Sequence, residues 1–149
     1  MRLKVKLIYI FLVFSITVLY SQSADSLSGF GKLTVVIKGF ENETGDCRFA
    51  LDNSEEVYER DDSVWIGKEL PIVNKEVVVT IDSLEFGEYA IRVFHDENKD
   101  NIVNTNILGI PTEDYGYSNN ASGWFGPPSW EKAKFIFNKT EMTININID

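Results

Sequence analysis

Short segments in which apolar and polar residues alternate recur along this chain, and they restrict its fold more than any other feature. The clearest is segment 142–148, MTININI, in which every second residue is methionine or isoleucine. This period places the apolar side chains on one face of an extended strand. No window shows sustained helical periodicity. The chain is therefore predicted to be all-β.

Other strands are predicted from the same pattern, and a strand-opening tyrosine supports their assembly into a sandwich. Their core-facing residues are Leu33, Val35 and Ile37; Cys47 to Leu51; Val77, Val79 and Ile81; Tyr89, Ile91 and Val93; and Phe135 and Phe137. About seven strands with connections of uneven length favour a single two-sheet β-sandwich over a closed barrel. Tyr89 follows Gly87 as in sandwich domains where a tyrosine hydroxyl bonds to the backbone of a crossover. The segment Glu55 to Lys68 fits a short helix, a bulged strand or a surface loop.

The first 23 residues have the pattern of a signal peptide. Arg2, Lys4 and Lys6 precede an apolar run of about fourteen residues, which is shorter than the roughly 20 that a transmembrane helix needs. Ser21 and Ser23 then satisfy the small-x-small rule for cleavage before Ala24. We expect residues 1–23 to be removed and residues 24–149 to form one domain, with no membrane-spanning segment after cleavage. An uncleaved N-terminal anchor is the alternative.

The net charge of the domain excludes some classes of binding partner, and its cysteine content excludes an intrachain disulfide. Cleavage removes three positive and no negative side chains, so the formal net charge moves from −9 to −12. An acidic domain of this kind is unsuited to nucleic acid or anionic membrane surfaces, which require a basic footprint. Cys47 is the single cysteine, which excludes an intrachain disulfide, and its apolar neighbours predict a buried thiol.

The segment from His95 to Pro128 is far longer than a turn requires, and its first part has the spacing of a calcium loop. With Asp96 as position one, Asn98 is three, Asp100 is five, Ile102 is seven and Asn104 is nine. Position seven would use its backbone carbonyl. These five residues, Asp96, Asn98, Asp100, Ile102 and Asn104, are the predicted Ca²⁺ ligands.

Two positions modify this calcium hypothesis. Asn101 occupies position six, where positive φ is required, and asparagine tolerates that conformation. Ile107 occupies position twelve, which normally supplies a bidentate carboxylate, so Glu97, Glu113, Asp114 or water would have to help. The alternative is that these Asp and Asn side chains cap their own backbone without a metal.

The second part of the loop is rich in aromatic and amide groups. Such side chains suit a saccharide or peptide, because aromatic faces stack on apolar surface while amides fix orientation. The same composition also fits a loop packed on its own side chains. The single histidine would lie at the core-facing rim of its strand, as a structural residue bonded to loop backbone or as part of the site. The predicted ligand-binding residues are His95, Tyr115, Tyr117, Asn119, Trp124 and Trp130.

The block from Leu84 to Trp130 resembles a bacterial exported family known as domain of unknown function 2141. The resemblance rests on FHDEN at 94–98, LGIP at 108–111, YGYSNNA at 115–121 and FGPP at 125–128. It implies a periplasmic or extracellular β-sandwich similar to transthyretin-type modules and carries no established activity. Asn101 and Asn104 stand where similar sequences often have Gly and Asp, and the second difference removes one formal charge from the cation loop.

The sequence gives little support to an enzyme. One histidine and one cysteine exclude a zinc cluster of the usual kind, and neither a phosphate-binding glycine loop nor a nucleophile elbow occurs. We therefore expect a noncatalytic exported module that binds a ligand, or has a structural role, through segment 95–128. One alternative is a module that binds a saccharide or a peptide through the aromatic residues of the loop. A hydrolase is a second, less favoured alternative.

Overall fold

A computed structural model describes residues 28–60, 62–124 and 126–149. The predicted signal peptide and its cleavage site lie outside these residues. Within them the strands are β1 (Phe30–Lys38), β2 (Asp46–Asp52), β3 (Ile66–Leu70), β4 (Glu76–Glu85), β5 (Gly87–Asp96), β6 (Tyr115–Tyr117), β7 (Phe135–Phe137) and β8 (Glu141–Asn147). Two four-residue helices, α1 (Glu55–Tyr58) and α2 (Trp130–Ala133), and a 3₁₀ turn at Ser118–Asn120 complete the described secondary structure.

The strands form two sheets, which confirms the predicted all-β sandwich. One sheet has three strands in the order β4-β1-β8, and β1 is antiparallel to β4 but parallel to β8. The other has five strands: β3-β2-β5-β6 in order, with β7 also paired to β5. β6 pairs with residues 92–94 of β5 and β7 with residues 87–89, so both follow the same edge of that strand.

The core lies between the sheets and consists of the residues that alternation predicts. Leu33, Val35 and Ile37 of β1 are each 0% exposed, as are Cys47 and Ile91 of the opposite sheet. The prediction of a buried thiol is thereby confirmed. Removal of aliphatic side chains of this kind from water is the main favourable contribution to folding.

The region 55–68, left open by the sequence, contains both a helix and the start of a strand. Helix α1 begins after Ser54, whose side chain accepts a hydrogen bond from the N–H of Val57 at 3.3 Å. Tyr58 at its end packs edge-on against Trp130 in a second, smaller apolar cluster outside the sandwich core. Strand β3 then begins at Ile66 and pairs with β2.

The strand-opening tyrosine has the predicted role. The hydroxyl of Tyr89 donates a hydrogen bond to the carbonyl oxygen of Glu85 at 2.9 Å, across the tight connection between β4 and β5. This bond fixes the start of β5, the strand that delivers His95 and Asp96 to the long loop. Among the described residues, no helix combines the length and apolar character needed to cross a membrane.

Candidate functional site

The end of β5 is held by contacts to the neighbouring loop and strand. His95 is 1% exposed, its ring lies edge-on to Phe40, and Nε2 is 2.6 Å from the carbonyl oxygen of Thr44. A carbonyl only accepts hydrogen bonds, so Nε2 carries the hydrogen in this contact. His95 is therefore bonded to loop backbone as a structural residue. This is one of the two roles predicted for it.

Asp96 connects the sheet to the long loop. Its side chain is 0% exposed, and Oδ2 accepts hydrogen bonds from Nε of Arg48 at 2.8 Å and from the N–H of Asn101 at 3.1 Å. Oδ1 accepts the N–H of Asp100, also at 3.1 Å. The carboxylate therefore organises the first turn of the loop while an arginine balances its charge.

Three of the predicted calcium ligands converge beyond this turn. Nδ2 of Asn98 lies 2.8 Å from Oδ2 of Asp100 and 2.9 Å from Oδ1 of Asn104. Nδ2 of Asn104 lies 3.0 Å from the same Asp100 oxygen. These amide donors, together with the N–H of Ile102, lower the pKa of Asp100 because they stabilise its ionised form. Asn101 has φ of 69°, so the positive φ expected at position six is confirmed.

Glu113 closes the loop from its far side. Its Oε1 accepts the N–H of Glu97 at 3.0 Å and its Oε2 accepts the N–H of Asn104 at 2.9 Å. Glu113 is 8% exposed, so its two bonds tie Glu97 and Asn104, which precede the loop tip, to a buried residue that follows it. Ile107, at position twelve of the calcium pattern, is 101% exposed and lies away from this cluster at the loop tip.

The donor set for a cation is consequently mixed. In the parts of the chain that the structure describes, no group of three or more His, Cys, Asp or Glu residues is arranged to hold a metal ion. A cation at the Asn98–Asp100–Asn104 cluster would need amide and backbone carbonyl oxygens beside one carboxylate. Calcium accepts such neutral oxygen ligands. The side-chain amides of Asn98 and Asn104 would have to rotate, so that their oxygens and not their Nδ2 atoms face the ion.

A groove lies beside β6, where this strand approaches the end of β8. It has a volume of about 390 Å³ and is lined by Tyr115, Gly116, Tyr117, Asn120, Ala121, Ser122, Asn147 and Asp149. We call it the tyrosine groove. The rings of Tyr115 and Tyr117 lie edge to face with centroids 5.9 Å apart.

Hydrogen bonds join the segment 115–120 to the C-terminal residues 147–149 on the two sides of the groove. The N–H and C=O of Tyr115 each bond to Asp149 at 3.3 Å, and Oδ1 of Asn120 accepts the N–H of Asn147 at 2.9 Å. A side chain at Gly116 would meet the Asn147 carbonyl oxygen at 2.8 Å, so glycine permits this approach of the strands.

The other predicted ligand-binding residues occupy different surroundings. Trp130 is 5% exposed and packs on Tyr58, whereas Nδ2 of Asn119 faces the carbonyl oxygens of Lys132, Ala133 and Lys134 at 2.9 to 3.2 Å, at the end of α2. Trp124 is 93% exposed and follows groove residue Ser122 by two positions. The structure thus brings Tyr115 and Tyr117 together in the groove and gives His95, Asn119 and Trp130 packing or capping contacts.

Sequence reasoning missed four polar groove residues: Asn120, Ser122, Asn147 and Asp149. Asn147 and Asp149 belong to the end of the alternating β8 segment, which reads as an ordinary strand. Their relation to Tyr115 depends on the close approach of β6 and β8, two segments distant in sequence. Asn120, one residue from the predicted Asn119, carried the only local signal.

The fold and loop define a class of protein: a small β-sandwich whose sheet edge carries one long, internally hydrogen-bonded loop. A family model described as "Uncharacterized protein conserved in bacteria (DUF2141)" matches residues 35–145, so the chain belongs to that family. The resemblance proposed from the loop motifs is confirmed at this level. Neither the curated proteins nor the solved structures include a match to the chain.

Proposed function

We propose that this chain is an exported, noncatalytic binding module that holds a saccharide or a peptide in the tyrosine groove. The observation that carries this proposal is the lining of the groove, where two tyrosine rings stand beside amide, hydroxyl and carboxylate groups. Aromatic rings contribute apolar contact area, and convergent polar groups fix the orientation of a ligand. The chain's only histidine is 1% exposed, which removes the most common acid–base group from this surface.

The preformed geometry supports binding rather than a groove that assembles around its ligand. Asn120 and Asn147 are joined by a hydrogen bond, and Tyr115 is bonded through its backbone to Asp149. Within the described residues Asn120 forms a hydrogen bond through its oxygen, and its Nδ2 group has two donors to offer a ligand. A fixed groove lowers the ordering cost of association.

The experiment is a titration of purified protein with neutral oligosaccharides and with mixed short peptides, followed by amide chemical shifts. We expect saturable shifts at residues 115–122 and 147–149 with one of the two ligand classes. Tyr115→Ala should weaken binding by about tenfold or more, since a buried aromatic contact contributes on the order of 1.4 kcal/mol or above. Phe30→Ala, at an exposed phenylalanine outside the groove lining, is the matched control. Shifts elsewhere, or equal binding by Tyr115→Ala, would contradict the groove.

Calcium ordering of the loop is a second candidate, favoured by the convergence of Asn98, Asp100 and Asn104. In this proposal Ca²⁺ binds the Asp100 carboxylate and the carbonyl oxygens of the two amides, with Asp96 and the Ile102 carbonyl completing the site. Arg48 already balances Asp96, so the site is weak, with an affinity of roughly 10⁻⁴ to 10⁻³ M. The ion orders the loop and takes part in no reaction.

Thermal melts with and without calcium test this second candidate. Calcium at about ten times the expected dissociation constant should raise the melting temperature, because a ligand that binds only the folded state stabilises it. Asp100→Ala should abolish the rise, while Asp82→Ala, at an exposed position of β4, should retain it. An unchanged melting temperature of the wild type would contradict calcium binding. The Asp and Asn side chains of the loop would then only cap its own backbone.

Export rests on the N-terminal pattern of residues 1–23 and is tested separately. Expression in a bacterial host followed by fractionation should recover the protein outside the cytoplasm, in the periplasm or the medium. N-terminal sequencing of that fraction should begin at Ala24. Recovery of an uncleaved chain in the cytoplasm would overturn this part of the proposal.

A further inference from the structure

The tip of the long loop presents aliphatic side chains to solvent on a hydrogen-bonded turn. Ile107 is 101% exposed, Leu108 is 78% exposed and Ile110 is 54% exposed; we call these three residues the aliphatic tip. Large aliphatic groups placed together on a protein surface mark interaction sites. The twelve residues 101–112 that contain the tip include no charged side chain, although 25% of the chain is Asp, Glu, Lys or Arg.

The turn that carries the tip is closed by its own hydrogen bonds. Oδ1 of Asn106 accepts the N–H groups of Leu108 at 2.9 Å and Ile110 at 3.2 Å, and the Asn106 N–H donates to the Ile110 carbonyl oxygen at 2.9 Å. Thr105 and Pro111 form a β-bridge beneath them. The tip is therefore preorganised, which lowers the entropy lost when it is buried by a partner.

A shallow, mainly aliphatic cavity lies at the connection between β3 and β4. It has a volume of about 340 Å³ and is lined by Leu70, Pro71, Val73, Glu76, Val77 and Val78. We call it the turn pocket, because Val73 and Glu76 close a two-residue turn through paired backbone hydrogen bonds of 3.1 Å. Val73 is 59% exposed and Val78 is 54% exposed, so the pocket has aliphatic walls open to solvent.

The charges around the two surfaces are complementary. Asp100, at the base of the tip, accepts hydrogen bonds only from neutral amide and backbone groups, so its negative charge is unbalanced. Glu76, which lines the turn pocket, is paired with Lys38 at 3.1 Å, and Glu69 beside it is paired with Arg48 at 2.6 Å. Lys68 and Lys75 flank the pocket in sequence, and neither has a carboxylate within 4.0 Å among the described residues, so the unpaired charges there are positive. Opposite charges around apolar surfaces favour one orientation of approach.

We infer that the aliphatic tip of one copy of this chain docks in the turn pocket of a second copy. Both halves of the contact are present on the same molecule, and a reciprocal exchange would bury two such contacts in a symmetric dimer. A lipid surface fits less well, because residues 101–112 lack the aromatic and basic residues of interfacial anchors and the chain is acidic. The contact is small, so we expect a dissociation constant in the range of about 10 μM to 1 mM.

Sedimentation equilibrium of the wild-type protein over that concentration range tests the inference. We expect the weight-average mass to rise with concentration. Leu108→Ser at the tip and Val73→Ser at the pocket should each weaken self-association by about tenfold or more. Val64→Ser, at a valine that is 49% exposed and outside both surfaces, is the matched control and should associate like the wild type.

An equimolar mixture of the two deficient variants tests the pairing itself. The Val73→Ser chain retains its tip and the Leu108→Ser chain retains its pocket, so one wild-type contact should re-form between unlike chains. A wild type that stays monomeric, a Leu108→Ser variant that associates normally, or a mixture that fails to associate would overturn the proposal. Sedimentation of the wild type with phosphatidylcholine vesicles, lost in Leu108→Ser, would instead identify lipid as the occupant and would also overturn it.

Discussion

The carboxylate of Asp96 and the guanidinium of Arg48 form an ion pair between adjacent strands, with Nε 2.8 Å from Oδ2 and the Asp96 side chain 0% exposed. The same carboxylate accepts two backbone N–H groups from the loop that follows. A single buried charge thus joins the five-stranded sheet to the first turn of the loop. The loop depends on this pair whether or not a cation binds beyond it.

Replacement of Asp96 by alanine should lower the free energy of unfolding by about 3 kcal/mol. The change leaves Arg48 without this buried partner and removes the acceptor of two backbone N–H groups. Urea denaturation at pH 7 measures the loss, and Asp82→Ala, at an exposed position, should stay within about 0.5 kcal/mol of the wild type. A loss under about 1 kcal/mol for Asp96→Ala would show that the pair contributes little.

Replacement of Asp114 by asparagine should stabilise the fold at neutral pH and have no such effect in acid. Burial, followed by the nearby charges of Glu41, Glu97 and Asp149, raises the pKa of Asp114 above 3.8, although His95 opposes the shift. A raised pKa in the folded state means that this carboxyl favours folding below pH 3.8 and loses that contribution as the pH rises through the folded value.

Thermal melts of the wild type and Asp114→Asn between pH 3 and pH 7 measure this difference. We expect a gain of no more than about 1 kcal/mol at pH 7, and the gain should shrink as the pH falls toward the unfolded pKa. Asp82→Asn controls for the loss of one negative charge. A gain that is the same at every pH would rule out titration of Asp114 as its cause.

The Cys47 thiol should resist alkylation until the protein unfolds. Burial, with a smaller contribution from the charge of Asp46, raises the pKa of this thiol from 9.0 to about 12. The thiolate is the reacting form, so native protein at pH 8 should react with iodoacetamide about a thousandfold more slowly than protein in urea. Mass spectrometry against time measures both rates, and comparable rates would show that the thiol is accessible in the folded chain.

Replacement of Tyr58 by phenylalanine should release the segment before α2. The Tyr58 hydroxyl donates a buried hydrogen bond of 2.8 Å to the Pro128 carbonyl oxygen, joining two segments distant in sequence. Its removal should cost about 1 to 2 kcal/mol because the carbonyl is left without this partner. Urea denaturation of Tyr58→Phe and Tyr115→Phe compares this with a groove tyrosine, which should lose less than about 0.5 kcal/mol. Equal losses would contradict a specific role for the Tyr58 bond.

The strands were predictable because their signal is local. The alternation of Leu33, Val35 and Ile37 correctly predicted β1. The position of Tyr89 after Gly87 correctly predicted the start of β5. Asn101 was likewise predicted to have positive φ from its place in the loop, and its φ is 69°. The region 55–68 was not resolved from sequence because a four-residue helix and a strand adjoin there, each too short to show a period.

The tyrosine groove could be only partly anticipated. Tyr115 and Tyr117 stood out as aromatic residues in a polar segment, but Trp130 has the same character and packs on Tyr58 instead. Composition cannot separate these cases, because exposure depends on which distant element covers each ring. Asn147 joins the groove only through the approach of β8 to β6.

The amino-acid sequence by itself determined the β class, the core faces of the strands, the buried Cys47 and the turn-forming loop after Asp96, because each follows from the period or chemistry of neighbouring residues. Only the tertiary structure decided that Arg48 pairs with Asp96, that Glu113 closes the loop, and that the aliphatic tip and the turn pocket stay exposed. Those relations join residues far apart in the chain. They depend on strand order and register, which local sequence patterns do not encode.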